Sequence, residues 1–296
     1  MVNYTHRSLA EVDTGKNILF LLSIGPSNAY GEGRTFEDLL NFLHATEYPT
    51  EKLSLGLLIV NKEEFEAIDK RITQYYEEAT PSTKKFQSIK LLYAPFLESS
   101  TLDREERHHN DKQKERRRTL ARARNYLLYN TMDHQDYVLW IDADIISLPD
   151  RILTTFVESD RDIITIRITQ GNQNDYDRNA WVGARAKPSS EQLAQMKNDP
   201  KYVYVPHNSG DTKNLAVFAN GKEEFVELDS VGGTVLFVKA EIHKQGVSHT
   251  PYYAIGTDFG IKEGYDGIET EGLCYVAQAL GYKCWGMPLV TGEHVL

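Results

Sequence analysis

Cysteine is nearly absent, with Cys274 and Cys284 the only two in 296 residues. Two cysteines exclude a disulfide-framed scaffold, and their spacing excludes a cysteine-ligated metal centre. Whether they pair is left open, and they say little about compartment. No run of 18 apolar residues occurs, and Met1-Val2-Asn3-Tyr4 begins no apolar leader, so this stretch is expected to be soluble by itself. Positive charge is in deficit: 33 Lys and Arg stand against 43 Asp and Glu, a net charge of −10. That balance argues against nucleic acid or an anionic membrane surface as the main partner. No Pro/Gly/Ser-rich linker and no internal repeat divides the chain, so one domain is expected over residues 1–296, with 1–16 as an N-terminal extension and 98–114 as a charged loop. Asn3-Tyr4-Thr5 is the only glycosylation sequon.

What is present alternates as βα units do. Asn17 to Ile24, Leu53 to Val60, Phe86 to Tyr93 and Tyr137 to Ile141 read as strands. Between them, Thr35 to Ala45, Lys62 to Ala79 and Glu115 to Met132 read as helices; the second carries Phe65, Ile68, Ile72 and Tyr75 on one stripe. Strands separated by helices imply a mostly parallel sheet with right-handed crossovers. The second half is less regular. Asp162 to Thr169, Phe225 to Asp229, Thr234 to Val238 and Tyr282 to Met287 are expected strands, Ser189 to Lys197 and Glu269 to Leu280 expected helices, and Gln170 to Arg185 a loop dense in Asn, Asp, Tyr and Trp. Polar loops on a rigid sheet are where ligand contacts reside.

The most informative segment is Tyr137-Val138-Leu139-Trp140-Ile141-Asp142-Ala143-Asp144, an apolar run that ends in two carboxylates. Such a run reads as a strand covered on both faces, and open α/β sheets bind ligands just beyond the carboxyl ends of their strands. Hard divalent cations take carboxylate oxygens and share their shell with substrate phosphates, so Asp142 and Asp144 point to a metal–diphosphate site. The other reading is a solvated acidic turn before a helix start at Pro149.

Three further constellations bear on chemistry. Residues 112–124 hold seven cations in thirteen positions, with Arg117, Ala121, Arg124 and Leu128 on one helical face. Arg117 or Arg124 either neutralises a phosphate beside the acidic turn or makes a structural salt bridge. His294, in Gly292-Glu293-His294 after the last expected strand, is either a surface or core residue or the imidazole that completes a carboxylate-rich Mn²⁺ site. Asp266, Glu269 and Glu271 flank a helix start, where they either suit the helix dipole or assist an acceptor hydroxyl. Gly232-Gly233, between two strand-like runs, admits close approach of a backbone or a ligand.

Taken together, Gly33-Arg34-Thr35-Phe36, the Arg-rich stretch from Glu115 to Asn125, Trp140-Ile-Asp-Ala-Asp144, Glu227 to Thr234, Val238 to His243 and Ile268 to Gly272 resemble the fungal mannan polymerase family of Golgi α-1,6-mannosyltransferases over nearly the whole chain. The resemblance implies a GT-A glycosyltransferase domain with a Rossmann-like sheet and flanking helices, GDP-mannose as donor, Mn²⁺ as cofactor, and an α-mannoside acceptor on an N-glycan outer chain. It further implies work beside a homologous subunit, as a heterodimer, in the Golgi lumen, with a type II membrane anchor lying outside this stretch. By position it assigns Asp142, Asp144 and His294 to the metal. Pro26, Arg117, Arg124, Asn125, Asp142, Gly232 and Gly233 fall to the nucleotide-sugar, and Asp229, Glu269 and Glu271 to the acceptor side or the reacting carbon.

An α-linked donor giving an α-linked product means retention, through either a carboxylate nucleophile (Asp229 or Glu271) or same-face attack in which the departing phosphate takes the acceptor proton. Two other readings come from different classes. One is an accessory subunit that binds GDP-mannose while a homologous partner carries out transfer. The other is a phosphoaspartyl phosphatase with Asp142 as nucleophile, although in that fold the motif ends the first strand, whereas here it ends about the fourth.

Overall fold

In the computed structural model, residues 1–5, 15–25, 29–80, 85–97, 110–199, 202, 204, 210–254 and 267–296 are described. The strands are β1 (Val2–Thr5), β2 (Ile18–Ile24), β3 (Leu53–Ile59), β4 (Ser88–Tyr93), β5 (Tyr137–Ile141), β6 (Ile145–Ser147), β7 (Ile163–Thr169), β8 (Trp181–Val182), β9 (Lys213–Asn214), β10 (Val226–Leu228), β11 (Val235–Lys239) and β12 (Cys284–His294). The helices are α1 (Phe36–His44), α2 (Lys62–Glu77), α3 (Asn110–Thr131), α4 (Ile152–Glu158), α5 (Ser190–Asn198), α6 (Ala240–Lys244) and α7 (Thr270–Ala279). The sheet runs β1-β4-β3-β2-β5-β11-β7-β12-β10, with β6 beside the far end of β12.

β2, β3, β4 and β5 are mutually parallel. The chain steps outward from β2 to β3 and β4, then returns to place β5 on the other side of β2. The β2/β5 boundary is therefore a topological switch point, where the loops leaving the two strands diverge and open a crevice. Asp142 follows β5 there. Beyond β5 the sheet becomes mixed: β11 is antiparallel to both β5 and β7, while β7 and β12 are parallel to each other. The α/β architecture with a mostly parallel central sheet follows the expectation.

Strand alternation sorts the core into two layers. Ile18, Phe20, Leu22, Leu139 and Ile141 face one layer with Leu39 of α1, Ile72 of α2 and Phe156 of α4. Leu19, Leu21, Val138 and Trp140 face the other with Leu127 of α3, Ile242 of α6 and Leu273 of α7. All five residues of β5 are buried, as a strand covered on both faces must be. Helix α3 sits close to the sheet because β3 carries Gly56, where a Cβ would meet Leu21 Cδ2 at 2.6 Å and Thr131 Oγ1 at 2.9 Å. Helix α1 begins with the capping box that Thr35 and Asp38 form.

Four expectations are corrected. Residues 1–16 are not solely an extension, because Val2–Thr5 adds an antiparallel edge strand to β4. Residues 98–114 are not loop throughout: α3 starts at Asn110, while 98–109 lie outside the described residues. The loop 170–185 contains β8, paired with β9. The last strand does not stop at Met287. Its pairing with β7 breaks after Met287 and resumes at Thr291, so Pro288, which cannot donate to a ladder, sits in a bulge. His294 is consequently delivered by a strand rather than by a tail.

Cys274 of α7 and Cys284 of β12, both fully buried, form a disulfide, which settles the open pairing. Loss of this cross-link from a short loop is expected to lower stability by about 3 kcal/mol. Urea unfolding of the oxidised chain against the reduced and refolded one measures it; equal midpoints would show that the helix–strand contact holds without the bond.

Candidate active site at the switch point

The turn leaving β5 is built by backbone bonds: Asp142 N donates to Thr234 O (3.0 Å) and Ile145 N to Asp142 O (3.2 Å). Ala143 is buried in the core, which leaves Asp142 and Asp144, each partly exposed, on the open side of the turn. Val295 N donates to Asp144 O (3.0 Å), so the end of β12 is stitched to the same turn. That stitching brings His294 Nε2 to 2.9 Å from Asp144 Oδ2. Burial disfavours the imidazolium, but the Asp144 carboxylate outweighs it and raises the His294 pKa. On its other edge His294 Nδ1 meets Gln170 Nε2 at 3.1 Å, and Tyr176 lies against the ring, with centroids 4.1 Å apart.

Arg124 spans the opposite wall. Its Nη2 donates to Gly233 O (3.0 Å) and lies 3.4 Å from Asp142 Oδ1, while Nη1 is 3.0 Å from Glu269 Oε1. Asp177 closes the ring by accepting from Thr234 N at 3.0 Å. Enclosure by protein pushes the Asp142 carboxyl up to about 7; Arg124 works against this, and Asp144, Asp177 and Glu269 add repulsion. The Asp142 side chain remains 44% exposed, so the group lies deep but faces the cleft. Carboxylates from Asp144, Asp177 and Glu269 thus gather around Asp142, with Arg124 beside it, and the cluster is short of positive charge.

Divalent-cation binding fits this donor set. Asp144 Oδ2 and His294 Nε2 lie 2.9 Å apart, the spacing of neighbouring ligands on one ion with metal–ligand bonds of about 2.1 Å. Among the described residues no three His, Cys, Asp or Glu side chains converge into a ready cage, and cations that work on phosphates commonly use one or two carboxylates plus the phosphate oxygens.

Other expected residues are brought near the cluster in different roles. Asn125 clamps the backbone of residue 249 in both directions, with Nδ2 to His249 O at 2.6 Å and His249 N to Oδ1 at 2.9 Å. Arg117 donates to Ile268 O (2.7 Å) and lies 3.6 Å from Glu271. Glu271, 1% exposed, receives Arg185 Nη2 at 2.6 Å, so it is an ion-paired core residue. Asp229 Oδ2 accepts from Gly183 N (2.8 Å). Gly232 and Gly233 permit close approach, but what approaches is protein: a Cβ on Gly232 would strike the Asp177 carboxylate, and one on Gly233 the Arg124 guanidinium. Pro26 and Asp266 lie outside the described residues.

Asp177, Tyr176, Gln170 and Arg185 escaped sequence reasoning, since no spacing ties a residue of the 170–185 loop to a turn at 142–144. The density of Asn, Asp and Tyr in that loop was the available signal. Arg34 was quoted in a motif without a role; its Nη1 donates to Tyr30 O (2.8 Å) and reaches Ala143 O at 3.4 Å, which props the acidic turn from behind.

The mannan polymerase complex subunit mnn9 of Schizosaccharomyces pombe is 27% identical over 262 residues, covering 84% of this chain and 73% of that protein. The Candida albicans subunit MNN9 is 28% identical over 234 residues, 72% of this chain and 60% of that protein. The Saccharomyces cerevisiae mannan polymerase II complex ANP1 subunit is 24% identical over 272 residues, 86% of this chain but only 51% of that protein. The chain thus spans about half to three quarters of the length of these relatives. Among solved structures, a mannosyltransferase from Pyrobaculum calidifontis in complex with GDP-Man and Mn²⁺ overlaps 97% of this chain and 60% of its own at TM-score 0.45 and 11% identity, a likeness too distant to bear on chemistry. The sequence profile of the Anp1 family matches residues 1–253, and on that match the chain belongs to the Anp1 family.

Proposed function

We propose that the chain is a retaining, metal-dependent glycosyltransferase of GT-A type that moves mannose from GDP-mannose to an α-mannoside, extending an α-1,6-linked outer chain of N-glycans as one subunit of a mannan polymerase complex. The observation that carries this reading is the meeting of Asp144 and His294 at the β2/β5 switch point, beside Asp142 and Arg124. Three relatives named as mannan polymerase subunits support the substrate class.

In this reading Asp144 and His294 would hold a Mn²⁺ ion together with the donor's phosphate oxygens, with Asp142 beside them, and the ion when bound would offset the charge of the diphosphate leaving group. Arg124 holds Asp142 in place and adds positive charge on the same side. The bond from mannose C1 to the diphosphate oxygen breaks as the bond from C1 to the acceptor oxygen forms. Glu269 and Glu271 are both engaged by arginines, which favours same-face attack, with the departing phosphate oxygen taking the acceptor proton. The same pairing is what favours the second reading, an accessory subunit that binds donor while a homologous partner transfers. A phosphatase reading has only the Asp-x-Asp pair behind it.

We place the protein in the Golgi lumen. The buried Cys274–Cys284 bond suits an oxidising compartment. Among the described residues no helix is long and apolar enough to cross a membrane.

Transfer from GDP-mannose to α-1,6-mannobiose, with and without Mn²⁺, by the chain alone and with a homologous subunit, tests the proposal. Product from either preparation that vanishes in chelator supports it. No product from the chain in any combination, or full product when only the partner retains its Asp pair, supports the accessory reading. GDP should also bind only with a divalent ion, because carboxylates facing a diphosphate repel it. Calorimetry is expected to show a steep fall of GDP affinity in chelator, and equal affinity in both conditions would remove the diphosphate from this turn.

A further inference from the structure

The segment that closes the carboxylate cluster has a second face. Tyr176 and Asp177 turn toward His294 and Thr234, whereas Gln173, Asn174, Asp175, Arg178 and Asn179 line a separate cleft of about 520 Å³ that Arg185 and Asn214 complete. That volume lies within the range of about 300–1,000 Å³ in which small-molecule sites fall. Its lining is unlike that of most such sites, with four side-chain amides, one carboxylate, two guanidinium groups and no aromatic or aliphatic side chain.

A wall of this kind gains little from apolar burial. It offers donors and acceptors side by side, which is the complement of a ligand that carries hydroxyls on most of its carbons. The central carboxylate is oriented in advance: Asn214 Nδ2 holds Asp175 Oδ2 at 3.1 Å, and Gln173 Nε2 holds the Asp175 carbonyl at 3.0 Å. Preset groups lose less entropy when a ligand arrives. Both charge signs are present, so a neutral saccharide meets no net repulsion, whereas a phosphate would face Asp175 as well as the arginines.

The cleft also communicates with the switch-point cluster. Arg185 belongs to its wall and pairs with Glu271 at 2.6 Å. Two residues earlier, Glu269 pairs with Arg124, which reaches Asp142. A relay of paired side chains, Arg185 to Glu271 and Glu269 to Arg124 to Asp142, therefore links the cleft to the turn where the transferred sugar would lie.

We propose that this cleft binds the acceptor saccharide, the neutral hydroxyl-rich glycoside that receives the sugar. The proposal rests on the glycosyl-transfer reading above and moves acceptor recognition from Asp229 and Glu271 to the 173–179 segment. Asp175 accepts from acceptor hydroxyls, and the Asn174 and Asn179 amides pair with their neighbours.

The test uses the full chain with GDP and Mn²⁺, titrated with α-1,6-mannobiose by ligand-observed NMR, with acceptor KM measured in parallel. Asp175→Asn and Asn179→Ala are each expected to weaken mannobiose binding and raise acceptor KM about tenfold, and together by more, as expected when a ligand hydroxyl loses its partner. GDP affinity is expected to stay unchanged. Equal mannobiose binding by wild type and both variants, or none by wild type, would overturn the assignment. Displacement of mannobiose by millimolar inorganic phosphate would overturn it in favour of an anionic ligand. If mannobiose binds and the variants weaken it while no mannose is ever transferred, the cleft stands and the transferase reading falls.

Discussion

Asp144→Asn is expected to lower Mn²⁺-dependent GDP affinity and mannosyl transfer by about a hundredfold or more, while the melting temperature moves by only a few degrees. The amide keeps the shape and can still bond His294, whose Nε2 lies 2.9 Å from Asp144 Oδ2, so the packing at the end of β12 survives. What is lost is a negative charge aimed at a cation, and an interaction of that kind acts on donor binding and on the developing charge of the leaving group. His294→Ala is expected to reproduce the loss of affinity, with a larger stability cost because the ring is 3% exposed and packed at a tilt against Tyr176. Calorimetry of GDP with Mn²⁺, beside thermal unfolding, separates the two effects. Undiminished GDP affinity in both variants would leave the Asp144–His294 pair a structural contact.

Glu271→Ala is expected to behave in the opposite way, losing stability first. Its carboxylate is 1% exposed between Arg185 at 2.6 Å and Arg117 at 3.6 Å, and removing one partner of a buried ion pair commonly costs about 3–5 kcal/mol because the remaining charge is stranded. Here one carboxylate lies between two guanidinium groups, one of which also holds the backbone at Ile268. Urea unfolding should show the midpoint lowered and the unfolding free energy reduced by about that amount, and Glu271→Gln, which keeps one acceptor oxygen, should lose less. A variant with an unshifted midpoint and abolished transfer would overturn this and return Glu271 to the reacting carbon.

The two glutamates show what local reading lacks. Near a helix start, an acidic side chain is equally suited to the helix dipole, to a hydroxyl and to an arginine, and the choice depends on what else the chain brings there. Arg185 and Arg117 come from segments that no spacing links to residue 271. Gly232-Gly233 is a parallel case: the pair announces a close approach, yet the approaching groups are the Asp177 carboxylate and the Arg124 guanidinium.

The architecture was legible in the sequence, as was the acidic turn on which the candidate site is built. Apolar runs of strand length, helices with a single stripe and the Asp142/Asp144 ending of β5 are local signals, because burial on two faces and the 3.6-residue period leave their mark within a dozen residues. Which side chains face that ending is set by long-range packing. The mixed order β5-β11-β7-β12 is set by long-range pairing. The bulge around Pro288 carries β12 on to His294, and the 170–185 loop folds back over the turn through Tyr176 and Asp177. Contacts between residues so far apart depend on strand order and loop packing, and neither periodicity nor composition records them.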